Sequence, residues 1–120
     1  MPNVAAISIY VDDMERAIAF YQDVLGFKVR SRPVPFIAEL DHDSPALVLC
    51  QAEHGTRFDY SKASGTVIGL ASTDVAGRAA DFKKRKIELV VAEPQEFPGG
   101  KFIALRDPAG NVVELLEFAG

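Results

Sequence analysis

The sequence has no tryptophan, a single cysteine and only two histidines among its 120 residues. Each shortage excludes something. A lone thiol, Cys50, forms no intramolecular disulfide. His42 and His54 are the only imidazoles available to a metal centre. No apolar run approaches the length of a membrane-crossing helix, and the first residues lack the charged start and apolar stretch of a signal peptide. The formal net charge of −4 offers no excess of base to nucleic acid or an acidic membrane. "PGGKF" lacks the spacing of a phosphate-binding loop, and no Ser-His-Asp arrangement is suggested. These exclusions lead to an expectation of a soluble cytoplasmic protein with neither nucleic-acid nor membrane partners.

What is present suits one compact domain of ordinary globular composition, 48% hydrophobic and 25% charged. "VAAISIYV" (4–11) alternates as a strand, with Ala5, Ile7, Ile9 and Val11 on a core side and Ala6, Ser8 and Tyr10 on a semi-polar side. Residues 12–26 carry Met14, Ala17, Ile18, Tyr21 and Leu25 on one helical stripe, with Asp12 as the expected cap and Gly26 as the stop. Strands are expected at 27–31, 35–40 and 46–51, followed by a polar loop at 53–63. The order then returns: a strand at 66–72, a helix capped by Asp74 with Val75, Ala79 and Phe82 inward, and strands at 87–92, 101–106 and 111–118. The basic run Lys83-Lys84-Arg85-Lys86 falls at the second helix's end, where cations favour the dipole. "EPQEFPGG" (93–100) is read as a Pro/Gly-rich loop and "DPAGN" (107–111) as a tight hairpin turn.

The pattern is βαβββ twice, with the halves 61 residues apart, as Asp13 is from Asp74 and Tyr21 from Phe82. The expected fold is α+β: two βαβββ modules (about 1–53 and 64–120, joined by a linker at 54–63) whose curved mixed sheets enclose a groove, with the helices outside. Such a groove is the default place for a small molecule.

Two blocks, "YVDDMERAIAFYQDVLGFKV" (10–29) and "ALRDPAGNVVELLEF" (104–118), together with the repeat, resemble the vicinal oxygen chelate superfamily. That group includes glyoxalases, extradiol dioxygenases and bleomycin-resistance proteins. In its metal-using members, four ligands line the groove, from the first and last strands of each module. The resemblance puts those positions at Ala6, at Val48, Leu49 or Cys50, at Val67 or Ile68, and at Glu114. Only Glu114 is a ready ligand, and one carboxylate does not hold a divalent ion against water. His42 sits in a turn and His54 at the start of a loop, which suits surface roles. The expectation is no metal and no cofactor, with a non-standard Fe, Mn, Ni or Zn site using Cys50, His42 and His54 as the alternative.

Glu114 itself stands in an otherwise apolar strand, sharing a face with Val112, Leu116 and Phe118. A carboxylate there needs a partner, because leaving it charged and unpaired costs several kcal/mol. Arg106, Ser8 and Tyr10 are the partners the pattern offers. The competing role is ligand contact or general acid/base catalysis. The candidate ligand-binding residues are Ser8, Tyr10, Phe36, Cys50, Phe102 and Arg106, together with the loop aromatics Phe58, Tyr60 and Phe97. Each of these also suits simple packing, and a buried Cys50 with no histidine beside it is an inert thiol rather than a nucleophile.

Three functions fit. One is a metal-free protein binding an apolar or aromatic small molecule, as the bleomycin-resistance type does. Another is a glyoxalase-like lyase or isomerase, or a dioxygenase-like enzyme, using Glu114. The last is a non-catalytic dimer scaffold. The resemblance also implies a homodimer.

Overall fold

The computed structural model describes residues 2–57, 59–62 and 65–120. Among them are eight strands and two α-helices, in the order expected from the repeat. The chain divides into two compact units, residues 1–57 with 108–111, and residues 58–107 with 112–120. The turn after the seventh strand belongs to the first unit.

The first module comprises β1 (Ala6–Val11), α1 (Met14–Asp23), β2 (Val29–Val34), β3 (Ile37–Leu40) and β4 (Ala46–Gln51), with strand order β1-β4-β3-β2. β1 and β4 run parallel, and the other neighbours run antiparallel. The alternation in β1 holds: Ile9 and Val11 are buried, while Ser8 and Tyr10 are exposed. Ala38, Leu40, Leu47 and Leu49 complete the buried face, with Met14, Ala17, Phe20 and Tyr21 buried on α1. The cap differs from the expectation by one residue. Asp13, not Asp12, has the extended backbone of an N-cap, and its side chain accepts from Arg16 N at 3.1 Å. Both positions of the Asp-Asp pair can supply the carboxylate, and the helical phase of Met14 and Ala17 decides between them. Gly26 takes φ +86, the left-handed conformation that ends the helix at low steric cost.

The second module repeats the plan with β5 (Ile68–Ala71), α2 (Val75–Lys84), β6 (Leu89–Phe97), β7 (Gly100–Arg106) and β8 (Val112–Phe118), in the order β5-β8-β7-β6. α2 packs on β6, β7 and β8. Val75, Ala79, Phe82, Ile103, Leu105, Val113 and Leu115 are buried. Asp74 caps α2 as expected, accepting from Gly77 N at 3.1 Å.

One expectation fails here. Residues 93–97 are not a loop but the second half of β6, which reaches Phe97. Pro94 is tolerated because β6 is an edge strand, and edge strands accept a missing N–H. The register shifts between Val91 and Gln95 absorb the misfit. Phe97 therefore sits at a strand end rather than in a long loop.

Candidate functional site

Register fixes which side chains share a face, because directly paired residues point the same way. In the second module, β8 pairs Glu114 with Gly69 on β5 and with Ala104 on β7, and Leu116 with Ala71 and Phe102. Val113 and Leu115 point the other way, toward α2 and the core, as does Glu117. Glu117 Oε1 accepts from Val75 N at 2.8 Å, placing a carboxylate on the helix N-terminus. Sequence reasoning missed this latch. The face away from α2 thus runs Gly69, Glu114, Ala104 in one row and Ala71, Leu116, Phe102 in the next, exposed at Gly69 and Ala71, half-buried at Glu114, Leu116 and Phe102, and fully buried at Ala104.

Glu114 is half-buried among these small and apolar neighbours. Its partner is Tyr60, whose hydroxyl donates to Glu114 Oε2. Tyr60 opens a single 3-10 turn, Tyr60–Lys62, within the stretch read as polar loop. Burial pushes the Tyr60 phenol well above its ordinary value, and the bond to the Glu114 carboxylate and its charge add to that. The phenol therefore keeps its proton at neutral pH and acts as a donor. No local signal links residues 54 positions apart, although both were named as candidates.

Arg106 pairs with Val112, two positions before Glu114 on the ladder, and its Nε meets Glu88 Oε2 at 3.1 Å. Phe97 lies edge-on to Phe102 and to Phe118, with centroids 6.1 and 5.9 Å away. Phe118 is 58% exposed. An aromatic cluster thus stands on the same face as Leu116. Gly69 keeps the floor beside Glu114 low: a Cβ there would lie 2.8 Å from Leu116 Cδ1 and 3.9 Å from Glu114 Oε1.

The remaining candidates lie in the first module. Ser8 pairs with Val48, and Tyr10 with Cys50, on the open face of that sheet. Ile37 lies beside Cys50 from the other side. Tyr10 and Phe36 are 61% and 56% exposed. Asn111 Nδ2 donates to Tyr10 O at 2.9 Å. Cys50 is half-buried and in no disulfide. His42 Nδ1 donates to Pro45 O at 2.8 Å, and its ring stands edge-on to Phe27. His54 is exposed. Phe58 lies outside the described residues.

A divalent ion would need several hard donors around Glu114. Its ladder partners are Gly69 and Ala104, and one of its oxygens already accepts from Tyr60. Within this module the donor set does not fit a metal. Among the described residues, no three His, Cys, Asp or Glu side chains come together to hold one.

Comparison with known proteins agrees with the architecture. The chain is 33% identical over 118 residues to a probable chloroplastic lactoylglutathione lyase of Arabidopsis thaliana. That match takes in 89% of this chain but 33% of the relative, so the chain spans about a third of that protein's length. The Leishmania major glyoxalase I, described as trypanothione-dependent, superposes with a TM-score of 0.72 at 27% identity, covering 98% of this chain and 87% of that one. An antibiotic-binding protein of a Streptomyces species, TnmS3, does so with a TM-score of 0.72 at 23% identity, covering 99% and 98%, a likeness of fold alone. Residues 3–115 match a family model, and the chain belongs to the Glyoxalase/Bleomycin resistance protein/Dioxygenase superfamily.

Proposed function

We propose that the protein is a metal-free small-molecule-binding member of this superfamily, taking an apolar or aromatic ligand on the open sheet face that carries Glu114. One observation carries the reading: a single carboxylate stands among Gly69, Ala104 and Leu116 on a face bordered by Phe97, Phe102 and Phe118. Aromatic edges and a low glycine floor suit a flat body, and the carboxylate orients it. The antibiotic-binding neighbour is a precedent for small-molecule binding within the fold. The first module's exposed Tyr10 and Phe36 are the apolar surface that we assign to a homodimer contact. A chain with one unpaired cysteine suits the cytoplasm, where we place it.

A thermal-shift screen of aromatic compounds in metal-free buffer tests this. Ligands are expected to raise Tm with EDTA present, and Glu114→Gln is expected to weaken the shift. Stoichiometric metal in the purified protein, lost in Glu114→Ala, would overturn the metal-free reading.

A second reading is favoured by the plant relative named as a probable lactoylglutathione lyase. It makes this chain a lyase or isomerase with Glu114 as acid/base. Turnover of a hemithioacetal substrate, abolished by Glu114→Gln with binding retained, would establish it.

A further inference from the structure

We infer that Tyr60 is a tethered occupant of the binding face, holding on Glu114 the place of a hydroxyl that the true ligand brings, so that the ligand is a hydroxyl-bearing flat aromatic. The inference rests on the binding reading above and adds to it the ligand's polar group and the event that admits it.

A half-buried carboxylate with glycine and alanine on either side must find a donor in the free protein. Tyr60 supplies it. A ligand covering this face either leaves that bond beneath it or replaces the phenol with a donor of its own. The way Tyr60 is held favours replacement. It sits on one 3-10 turn whose other described hydrogen bonds are local: Ser61 N and Oγ to Asp59 Oδ1, and Lys62 N to Asp59 O. Among the described residues, Tyr60's own hydroxyl is the turn's only hydrogen bond to the sheet. Asp59, Ser61 and Lys62 are exposed, so little packing opposes release. A phenol is also the chemical pattern of what displaces it: a neutral O–H donor on a flat apolar ring. The outgoing and incoming bonds are of one kind, which makes the exchange nearly balanced in hydrogen bonding. Net affinity then comes from the ligand's larger contact with Leu116 and the phenylalanine edges. A ligand with no donor would strip Glu114 of Tyr60 and return nothing.

The test uses 2-naphthol and its methyl ether, 2-methoxynaphthalene, titrated by fluorescence into the whole chain, whose lack of tryptophan leaves naphthalene emission clear. The wild type is expected to bind 2-naphthol at least tenfold more tightly than the ether. Tyr60→Phe and Tyr60→Ala, which remove the competing donor, are expected to tighten 2-naphthol and the ether alike, on the order of tenfold, and to keep the preference for 2-naphthol. Glu114→Gln weakens 2-naphthol in every background. Circular dichroism confirms that each variant is folded. Weaker 2-naphthol binding in Tyr60→Ala would make Tyr60 a ligand contact and overturn the inference, as would unchanged affinity. Equal binding of both probes, insensitive to Tyr60, would keep the binding face while removing the donor requirement. Binding of neither probe by any folded variant would remove the binding reading as well.

Discussion

At equivalent places on the two sheets, β4 carries Val48 beside Ser8, and β8 carries Glu114 beside Gly69. The helix sides of the same strands barely differ. Ile7 and Ile9 answer Ile68 and Leu70, and α1 and α2 start and stop 61 residues apart, Met14–Asp23 against Val75–Lys84. Even the last strand's latch on the helix start recurs. Gln51 Nε2 donates to Asp12 O in one module, and Glu117 Oε1 accepts from Val75 N in the other. A helix packed on a sheet constrains volume and shape at every contact, so substitutions there are costly. The open faces carry no such constraint, and there the modules have parted. One shows Tyr10 and Cys50 in a row, while the other shows Glu114 under Tyr60 beside a phenylalanine cluster. The two modules share one scaffold, and of these two places only the one on β8 carries a carboxylate.

The largest effects should therefore fall equally on both helix faces. Tyr21 and Phe82 occupy matching positions and are both 2% exposed. Truncating either to alanine is expected to cost about 3–5 kcal/mol, read as a lowered denaturation midpoint. A loss for Tyr21→Ala less than half that for Phe82→Ala would show that the two cores are not equivalent after all.

The open faces should separate the modules. Tyr60→Phe leaves Glu114 without its phenol, and about 1–2 kcal/mol of stability should be lost; Val48 gives the first module no carboxylate to lose at that place. The pair also has a pH signature. The folded-state value of the phenol is raised above the ordinary 10.0, so the folded chain holds this proton more tightly than the unfolded chain does. Its contribution is fully present below about pH 10 and is lost as pH rises through the folded value. Wild-type stability should thus fall above about pH 10 more steeply than that of Tyr60→Phe. Parallel denaturation curves for the two proteins from pH 9 to 11 would deny the coupling.

Much of this was legible in the residues. Period-two alternation, helical stripes and the recurrence at 61 residues determine the modules because burial imposes those periods. Glu114 stood out as a charge on an apolar strand. Other features were not legible, and two show why. Pro94 reads as a loop signal, and only the edge position of β6 makes it compatible with a strand. The Tyr60–Glu114 bond joins a short loop turn to a distant strand, so no spacing announces it. The need for a donor could be argued from Glu114, whereas its identity depends on how the chain returns over the sheet. Arg106 was the nearer candidate in sequence, and it is held by Glu88.

The smallest contrast lies in the two caps. Asp13 and Asp74 both accept from the N–H three residues on, at 3.1 Å, and each bond should be worth about 1 kcal/mol. Their backbones differ. Asp13 is extended at φ −138, ψ 102, while Asp74 is left-handed at φ 50, ψ 57. Alanine tolerates the first conformation and not the second, where its Cβ crowds the carbonyl for about 1 kcal/mol more. Asp74→Ala should therefore destabilise by roughly 1 kcal/mol more than Asp13→Ala. Glycine separates the two causes, since it removes the cap but accepts positive φ. Asp74→Gly should recover most of that excess, whereas Asp13→Gly should gain nothing of the kind over Asp13→Ala beyond glycine's own few tenths as a cap. If Asp74→Gly and Asp74→Ala denature together, the left-handed backbone at Asp74 carries no cost, and the caps differ in geometry alone.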